Sequence, residues 1–352
     1  MRHLRCILLS LCVLAVSARA ADPAAEITSF SEFKKIDVPS LVGGQIMAER
    51  GAPMNFPRGI SVQTCFIADC PAKDAARFLP EWDASPHPEL KIYMLGFFKE
   101  TDKTTFERLA FDPEKKPMRR LVERTLEANP DKADIQLSFN EFAQLQKCLT
   151  DAGIKGTSST GKNELEAAKR FWDGFLANRW QQFQQGGFEA LSPYDASRAK
   201  YVVNSEIQSL LADEQKIVKR FEEFLVKTPF LSKSSPPPKP VINYWALSDV
   251  QGTANISMGA FYAEAFPDHW KMADVTYYAS SDYFTSMVLY ELWPVTVDGR
   301  ESTLVWRLDM VSAPKLAFTK GVDQMVYGGV LLQEVKKVVR AFQKDAAKQR
   351  GK

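Results

Sequence analysis

The chain has 352 residues, 45% of them hydrophobic, with 45 lysine and arginine residues against 43 acidic residues. Three of the basic residues lie in the first 20 residues, which hold no acid, so the rest of the chain has 42 basic and 43 acidic residues and a formal charge of −1. A near-neutral chain with scattered basic residues lacks the electrostatic footprint of a nucleic-acid-binding protein, and we predict no nucleic-acid partner.

The first 20 residues have the pattern of a secretory signal peptide. Two arginines precede an apolar run from Cys6 to Val16, and Ala18-Arg19-Ala20 forms a small-residue cleavage site. This run is shorter than the roughly 20 apolar residues that span a bilayer. We therefore expect cleavage near Ala20 and export to the periplasm or the medium, as a mature protein without a transmembrane segment.

Residues 21–102 are predicted to supply the first strands and a helix of an α+β core. Ile60, Val62, Phe66 and Ala68 alternate with other residues as in a strand, and Pro71 then opens a helix. The apolar stretch from Leu90 to Phe98 predicts a further strand.

Few residues of this chain are suited to metal binding. Without the signal peptide, Cys65, Cys70 and Cys148 remain, together with His87 and His269. Three cysteines cannot all pair, and a continuous strand would hold the first two Cα atoms about 16 Å apart, too far for a disulfide. The pairing stays open at this point. We predict no metal site and no cofactor, because zinc sites draw their four ligands from such residues.

Residues 103–231 are predicted to form a helical subdomain. Two capping boxes mark helix starts, Ser138 with Glu141 and Ser205 with Gln208. Apolar residues then recur at helical spacing, which predicts one buried face for each helix.

One stretch in this subdomain, "GTSSTGKN" from Gly156 to Asn163, is close to a phosphate-binding loop. Such a loop ends in Ser or Thr, whose hydroxyl coordinates magnesium, whereas this stretch ends in Asn163. Asn163 and Glu166 instead fit a capping box, with the helix starting at about Glu164. We predict no nucleotide site here.

Residues 232–241, "SKSSPPPKPV", are predicted to be a proline-rich, extended linker. Residues 242–352 follow with five strand-like runs joined by short turns, and then an amphipathic helix from about Val322 to Ala346. The simplest α+β architecture for this order is an antiparallel meander packed on the long C-terminal helix.

The hairpin around Asp298-Gly299 allows two registers. A two-residue turn pairs Val297 with Arg300 and places Glu291 beside Trp306, as a buried carboxylate with a raised pKa. A three-residue loop pairs Tyr290 with Trp306 and leaves Glu291 on the other face. A slip of one residue exchanges the two faces. We favour the second register, which leaves one face free of charge.

The strand and proline-led helix at 60–82, the meander at 242–311 and the helix at 322–346 together resemble the START-like (SRPBCC) helix-grip superfamily. This resemblance implies a curved sheet around the C-terminal helix, with a cavity for a lipid or another apolar ligand. The helical subdomain would be a large insertion. The chain is also similar to exported bacterial proteins without an assigned function.

We expect a ligand cavity between the meander and the C-terminal helix, and no catalytic residue. The residues expected to line this cavity are Tyr290, Leu292, Trp306, Leu308, Met310, Met325 and Leu332. The function that follows is a non-catalytic carrier of an apolar small molecule or lipid. The alternatives are an envelope interaction protein with a filled core, which would use the helical subdomain as its partner surface, and a hydrolase or isomerase of unknown substrate.

Overall fold

The computed structural model describes residues 22–98, 105–131, 134–154, 161–196, 199–232, 238–319 and 321–350. The expected signal peptide at 1–20 and residues 156–160 of the loop-like stretch lie outside the described residues. Within the described ranges, no helix is both long enough and apolar enough to cross a membrane.

Ten strands and nine helices occur in the described part of the chain. The strands are β1 (Met47–Arg50), β2 (Gly59–Ala68), β3 (Ile92–Phe98), β4 (Tyr194–Ala196), β5 (Ala199–Tyr201), β6 (Ile242–Val250), β7 (Thr253–Ala265), β8 (Trp270–Ala279), β9 (Thr285–Val297) and β10 (Arg300–Ser312). The helices are α1 (Pro23–Phe30), α2 (Val38–Val42), α3 (Ala72–Phe78), α4 (Lys116–Glu127), α5 (Phe139–Asp151), α6 (Lys162–Gly186), α7 (Val203–Asp213), α8 (Gln215–Leu225) and α9 (Val322–Ala346).

Eight strands form one antiparallel sheet in the order β1-β2-β10-β9-β8-β7-β6-β3, and β4 pairs with β5 separately. Helix α9 contacts β1 and β2 at one edge of the sheet, and it also contacts the 3-10 turn Pro88–Leu90 that precedes β3 at the other edge. The sheet therefore curls around α9. The predicted α+β class, with an antiparallel meander packed on a long C-terminal helix, is confirmed.

Both faces of the sheet are covered. On the concave face, Phe66, Tyr290 and Leu292 join a buried cluster with Val339 and Phe342 of α9. The convex face packs against a helical layer, which we define as α1 and α4–α8. The molecule thus has three layers, with α9 and the helical layer on opposite sides of the sheet. The domain boundaries proposed at residues 102, 231 and 241 stay a prediction.

The two-residue turn at Asp298-Gly299 sets the register of β9 and β10. Both residues have positive φ, 50° and 75°, as a type I′ turn requires. Val297 therefore pairs with Arg300, and Glu291 pairs with Trp306. The favoured three-residue loop is wrong. The expectation of one face free of charge does not hold, because helices cover both faces and each face buries charged groups that have partners.

The corrected register separates the hairpin residues that were expected to share a face. Tyr290 and Leu292 face α9, whereas Trp306, Leu308 and Met310 belong to the core on the side of the helical layer. The Trp306 ring packs 4.9 Å from the Phe30 ring of α1. The prediction that all five point toward α9 is wrong, because alternate residues of a strand face opposite ways.

Cys65, Cys70 and Cys148 are all free thiols. Burial raises the pKa of Cys65 to about 12 and that of Cys70 to about 11. Both thiols are therefore protonated near neutral pH, and a protonated thiol is a poor nucleophile and metal ligand.

Only one of the three predicted capping boxes is present. Ser138 accepts the Glu141 backbone N–H, and the Glu141 carboxylate accepts the Ser138 N–H at 2.7 Å. Helix α6 instead begins at Lys162, so Asn163 lies inside the first turn and its side chain is not at the N-cap position. Helix α7 begins at Val203, before Ser205, and buries that valine.

We expect Ser138→Ala to lower the free energy of unfolding by about 1 kcal/mol, because the side-chain acceptor of the N-cap is lost. The matched control is Asn163→Ala, which should change it by less than about 0.5 kcal/mol, as for an ordinary surface position. Urea denaturation of both variants measures the difference. Equal losses would show that the helix starts are wrongly assigned.

Candidate functional site

A cavity of about 610 Å³ lies between the concave face of the sheet and the first half of α9. From the helix it is lined by Tyr327, Val330, Leu331 and Glu334, which recur every three or four residues and so share one helix face. A second cavity of about 180 Å³ lies further along α9. Tyr244, Asp274 and Arg307 line both, so the two cavities meet at these residues.

The distribution of side-chain size along the strands explains why the first half of α9 lies over a void. On the concave face, β8 and β9 change from small or polar residues to large apolar ones along their length. The cross-strand pairs of β8 and β9 run in the order Thr276 and Ser286, Asp274 and Val288, Met272 and Tyr290, Trp270 and Leu292. The larger members fill the layer below the second half of α9, and the smaller ones line the larger cavity.

Tyr244 and Asp274 form the centre of a polar floor. The Tyr244 hydroxyl donates to Asp274 Oδ1 at 2.9 Å, although the two residues lie on β6 and β8 with β7 between them. The β7 residue opposite Tyr244 is Gly259. A Cβ atom there would lie 2.1 Å from the tyrosine ring, so glycine is required for the ring to cross β7 and reach the carboxyl group.

Arg307 lies on the same floor but is already paired. Its guanidinium donates twice to Asp309, Nε to Oδ2 at 2.7 Å and Nη2 to Oδ1 at 2.5 Å, and it lies 5.3 Å from the centroid of the Tyr290 ring. Burial disfavours the charged form of Arg307, but the nearby Asp309 carboxylate outweighs this and raises its pKa. Both residues of the pair therefore stay charged, and their charges cancel.

Asp274 has a different environment from the other acids of the floor. Burial raises its pKa to about 7, while the Tyr244 hydrogen bond and the Arg307 charge oppose the rise and the Asp309 charge adds to it. Its side chain is still partly accessible, because it lines the cavity. Asp274 thus changes its charge near neutral pH at a position that a ligand can reach.

The rim of the cavity carries charges that are mostly exposed and paired. Lys91 lies 3.7 Å from Asp249, and Lys315 lies 3.5 Å from Asp282. Glu334 of α9 pairs with Lys337 at 2.7 Å. Exposed pairs of this kind contribute little to stability, and they leave the rim polar around an interior that is partly apolar.

A second buried polar cluster lies on the opposite face, around Glu291. Arg220 of α8 donates to both Glu291 oxygens, at 3.1 and 2.5 Å, and His269 Nε2 lies 3.2 Å from Oε1. Burial raises the pKa of Glu291 although Arg220 opposes it. This carboxylate is buried, as the register that we did not favour implies, but it ties α8 to the sheet and does not face the cavity.

The structure brings together only part of the predicted cavity lining. Tyr290 and Leu292 line the smaller cavity, and Met310 borders the larger one although it belongs to the core on the helical side. Trp306 and Leu308 lie in the core of the helical side. Leu332 packs against the concave-face core, and Met325 is 54% exposed. Whether any of these residues contacts a ligand stays a prediction.

The polar floor was missed from the sequence. Asp274 and Thr276 in "ADVTYYAS", and Arg307 and Asp309 in "WRLDM", alternate with apolar residues. This alternation usually indicates a strand with one solvated face, so it does not by itself predict a polar cavity. One indication of a polar cavity was available. These polar residues lie on the face of the sheet that the long amphipathic helix α9 must cover.

Asp274→Asn should stabilise the empty protein more at about pH 8 than at about pH 5. An unfolded aspartate loses its proton near pH 4, whereas Asp274 holds its proton up to about pH 7. Between these values the folded state binds more protons, so the free energy of unfolding falls as pH rises. Asparagine does not ionise, so the variant does not lose stability in this way as pH rises. Its side-chain oxygen can still accept the Tyr244 hydrogen bond. The test is to measure the denaturation midpoints of the wild type and the variant at both pH values. A midpoint difference that is the same at both pH values would contradict the prediction.

No protein-family model matches the chain, and no curated protein matches it in sequence. Among solved structures, a START superfamily protein from Mycobacterium smegmatis matches at 15% sequence identity, over 41% of this chain and 90% of that chain, with a TM-score of 0.21. This is a weak structural resemblance, and nothing about the ligand follows from it.

Proposed function

We propose that this protein is a non-catalytic carrier that binds an apolar small molecule or lipid between the sheet and the first half of α9. The observation that carries the proposal is the cavity of about 610 Å³. Ligand sites in proteins typically have volumes of roughly 300 to 1,000 Å³ and are lined largely by apolar groups. Ile60, Val288, Val330, Leu331 and Leu316 supply such groups here.

The size of the void supports binding over a purely structural core. The cavity opens to solvent beside Val330, which is 53% exposed. Behind this mouth, the sheet and the helix leave more space than the close packing that is usual between two layers of a protein. An interaction protein with a filled core has no need of this space. A ligand that occupies the cavity would supply the missing contacts.

We also propose that the protein is exported, with cleavage of residues 1–20. The support is the arginine-led apolar run that ends in Ala18-Arg19-Ala20. Expressed in a bacterial host, the mature chain should begin at or near Ala21 and appear in the exported fraction. Intact-mass measurement tests this, and a chain that retains its first 20 residues in that fraction would contradict it.

Val330→Trp should reduce the amount of bound apolar ligand by about ten-fold, a loss of about 1.4 kcal/mol in binding free energy. Val330 lines the cavity and is 53% exposed, so the larger side chain can occupy the cavity mouth without disturbing the core. The matched control is Val326→Trp, one turn earlier on α9, at a position that is 59% exposed and outside the described cavity lining.

The measurement is native mass spectrometry of protein purified from the exported fraction, followed by titration with the neutral fluorescent probe N-phenyl-1-naphthylamine. Wild type and Val326→Trp should carry ligand or bind the probe equally, and Val330→Trp should do so weakly. A wild-type protein that neither carries a molecule nor binds the probe would show that the cavity is not a ligand site.

A further inference from the structure

We propose that the cavity selects ligands that carry an organic cation, a protonated or quaternary amine on an apolar body, with the cation held by the Asp274 carboxylate among Tyr244, Tyr283 and Tyr327. This inference rests on the proposed function, because the cavity must first accommodate the apolar body. It adds the chemical class of the group that determines specificity.

The charge balance of the floor is the first argument. Arg307 donates both bonds of its bidentate pair to Asp309, so these two groups cancel. Asp274 accepts from the neutral phenol of Tyr244. An ionised Asp274 therefore adds a negative charge that its hydrogen-bond partner does not neutralise. A charge removed from water is costly unless it is paired, and a ligand cation would pair it.

The same arrangement disfavours an anionic ligand. Arg307 is the basic residue on the floor, and its guanidinium is held by Asp309 at 2.5 and 2.7 Å. A carboxylate or phosphate would have to displace Asp309 and would also lie close to Asp274. Like charges in a desolvated site repel each other strongly.

The tyrosines are the second argument. Tyr244, Tyr283 and Tyr327 line the same cavity as Asp274. Burial raises the pKa of Tyr244, and raises that of Tyr283 to about 12, so these two phenols stay neutral near physiological pH. The face of a neutral aromatic ring attracts a cation within about 6 Å, and groups of such rings are a recurring site for quaternary ammonium ions.

A structural role for Asp274 alone would not need an acid. An asparagine could accept the Tyr244 hydrogen bond equally well and would avoid the cost of ionisation in a buried position. Here the residue is an acid, and its carboxyl group faces the cavity. It is therefore better suited to pairing with an incoming positive charge than to holding one tyrosine in place.

The test compares three probes with the same dodecyl chain: dodecyltrimethylammonium, dodecanol and dodecyl sulfate. Each is added below its micelle concentration, at about pH 8, to full-length mature protein, and binding is measured by displacement of N-phenyl-1-naphthylamine. We expect the cation to bind about ten-fold more tightly than the alcohol, because a cation removed from water gains about this much from aromatic rings and a carboxylate. The sulfate should bind most weakly.

Asp274→Asn should remove the preference for the cation, so that dodecyltrimethylammonium binds no more tightly than dodecanol. The control is Asp323→Asn, an exposed acid in the first turn of α9, which changes the net charge equally and should keep the preference. In the wild type, affinity for the permanently charged cation should also rise between about pH 6 and pH 8, because Asp274 ionises over this range.

Other titratable groups face the cavity and must be separated from Asp274. On the floor these are Tyr244, Tyr283, Arg307 and Asp309. The charged and titratable groups of the rim are Glu89, Lys91, Asp249, Asp282, Lys315, Tyr327 and Glu334, and His87 lies 3.5 Å from Glu89. Their effects would persist in Asp274→Asn. A flat pH profile in that variant supports the proposal, and a profile like that of the wild type overturns it.

The remaining outcomes are also decisive. Equal binding of the cation and the alcohol, or tighter binding of the sulfate, would overturn the cation proposal while the carrier function stands. If the fluorophore binds but none of the three probes displaces it, the cation proposal fails while the carrier function stands. If the fluorophore does not bind and the purified protein carries no molecule, the carrier function fails as well. Circular dichroism of Asp274→Asn confirms that the variant is folded before binding is compared.

Discussion

The two-residue turn at Asp298-Gly299 is the constraint on which the arrangement of the sheet depends. Its positive φ angles pair Glu291 with Trp306. Strands β8 and β7 follow through successive antiparallel pairs, with one register shift between β7 and β8 at Met258 and Gly259. A shift of one residue in a strand would exchange its two faces. Arg307 and Asp309 would then leave the cavity, and Trp306 would enter it. The chemistry of the cavity is thus a consequence of a turn at the far end of the hairpin.

The register of β9 and β10 matters because helices cover both faces of the sheet. A sheet with one solvated face can place charged residues there at little cost, but here α9 and the helical layer leave no such face. Glu291 is paired with Arg220 on one side, and Asp309 with Arg307 on the other, as buried charges require. Asp274 is the acid on the concave face whose hydrogen-bond partner is a neutral phenol, and it lies where the layer is open.

Helix α9 has two roles along one continuous face. Val335, Val339 and Phe342 in its second half pack into the concave-face core and anchor the helix. Tyr327, Val330 and Glu334 in its first half lie over the cavity. Because the anchored half supplies the packing energy, the other half can cover a void without being displaced. This division allows a stable fold to keep an internal site, and Gly259 allows the Tyr244 ring to lie within that site.

Local patterns in the sequence were sufficient for the elements and the class of this fold, but not for the site. The strands of the meander, the span of α9 from Val322 to Ala346 and the Ser138 cap could all be predicted, because periodicity and capping depend on neighbouring residues. The Asn163 cap and the hairpin register could not, since similar patterns are compatible with helices or turns that differ by one residue. The cavity and the position of Asp274 were decided by tertiary structure alone. A void exists only where side chains from β6, β8, β10 and α9 fail to meet, and no single segment of the chain contains that information.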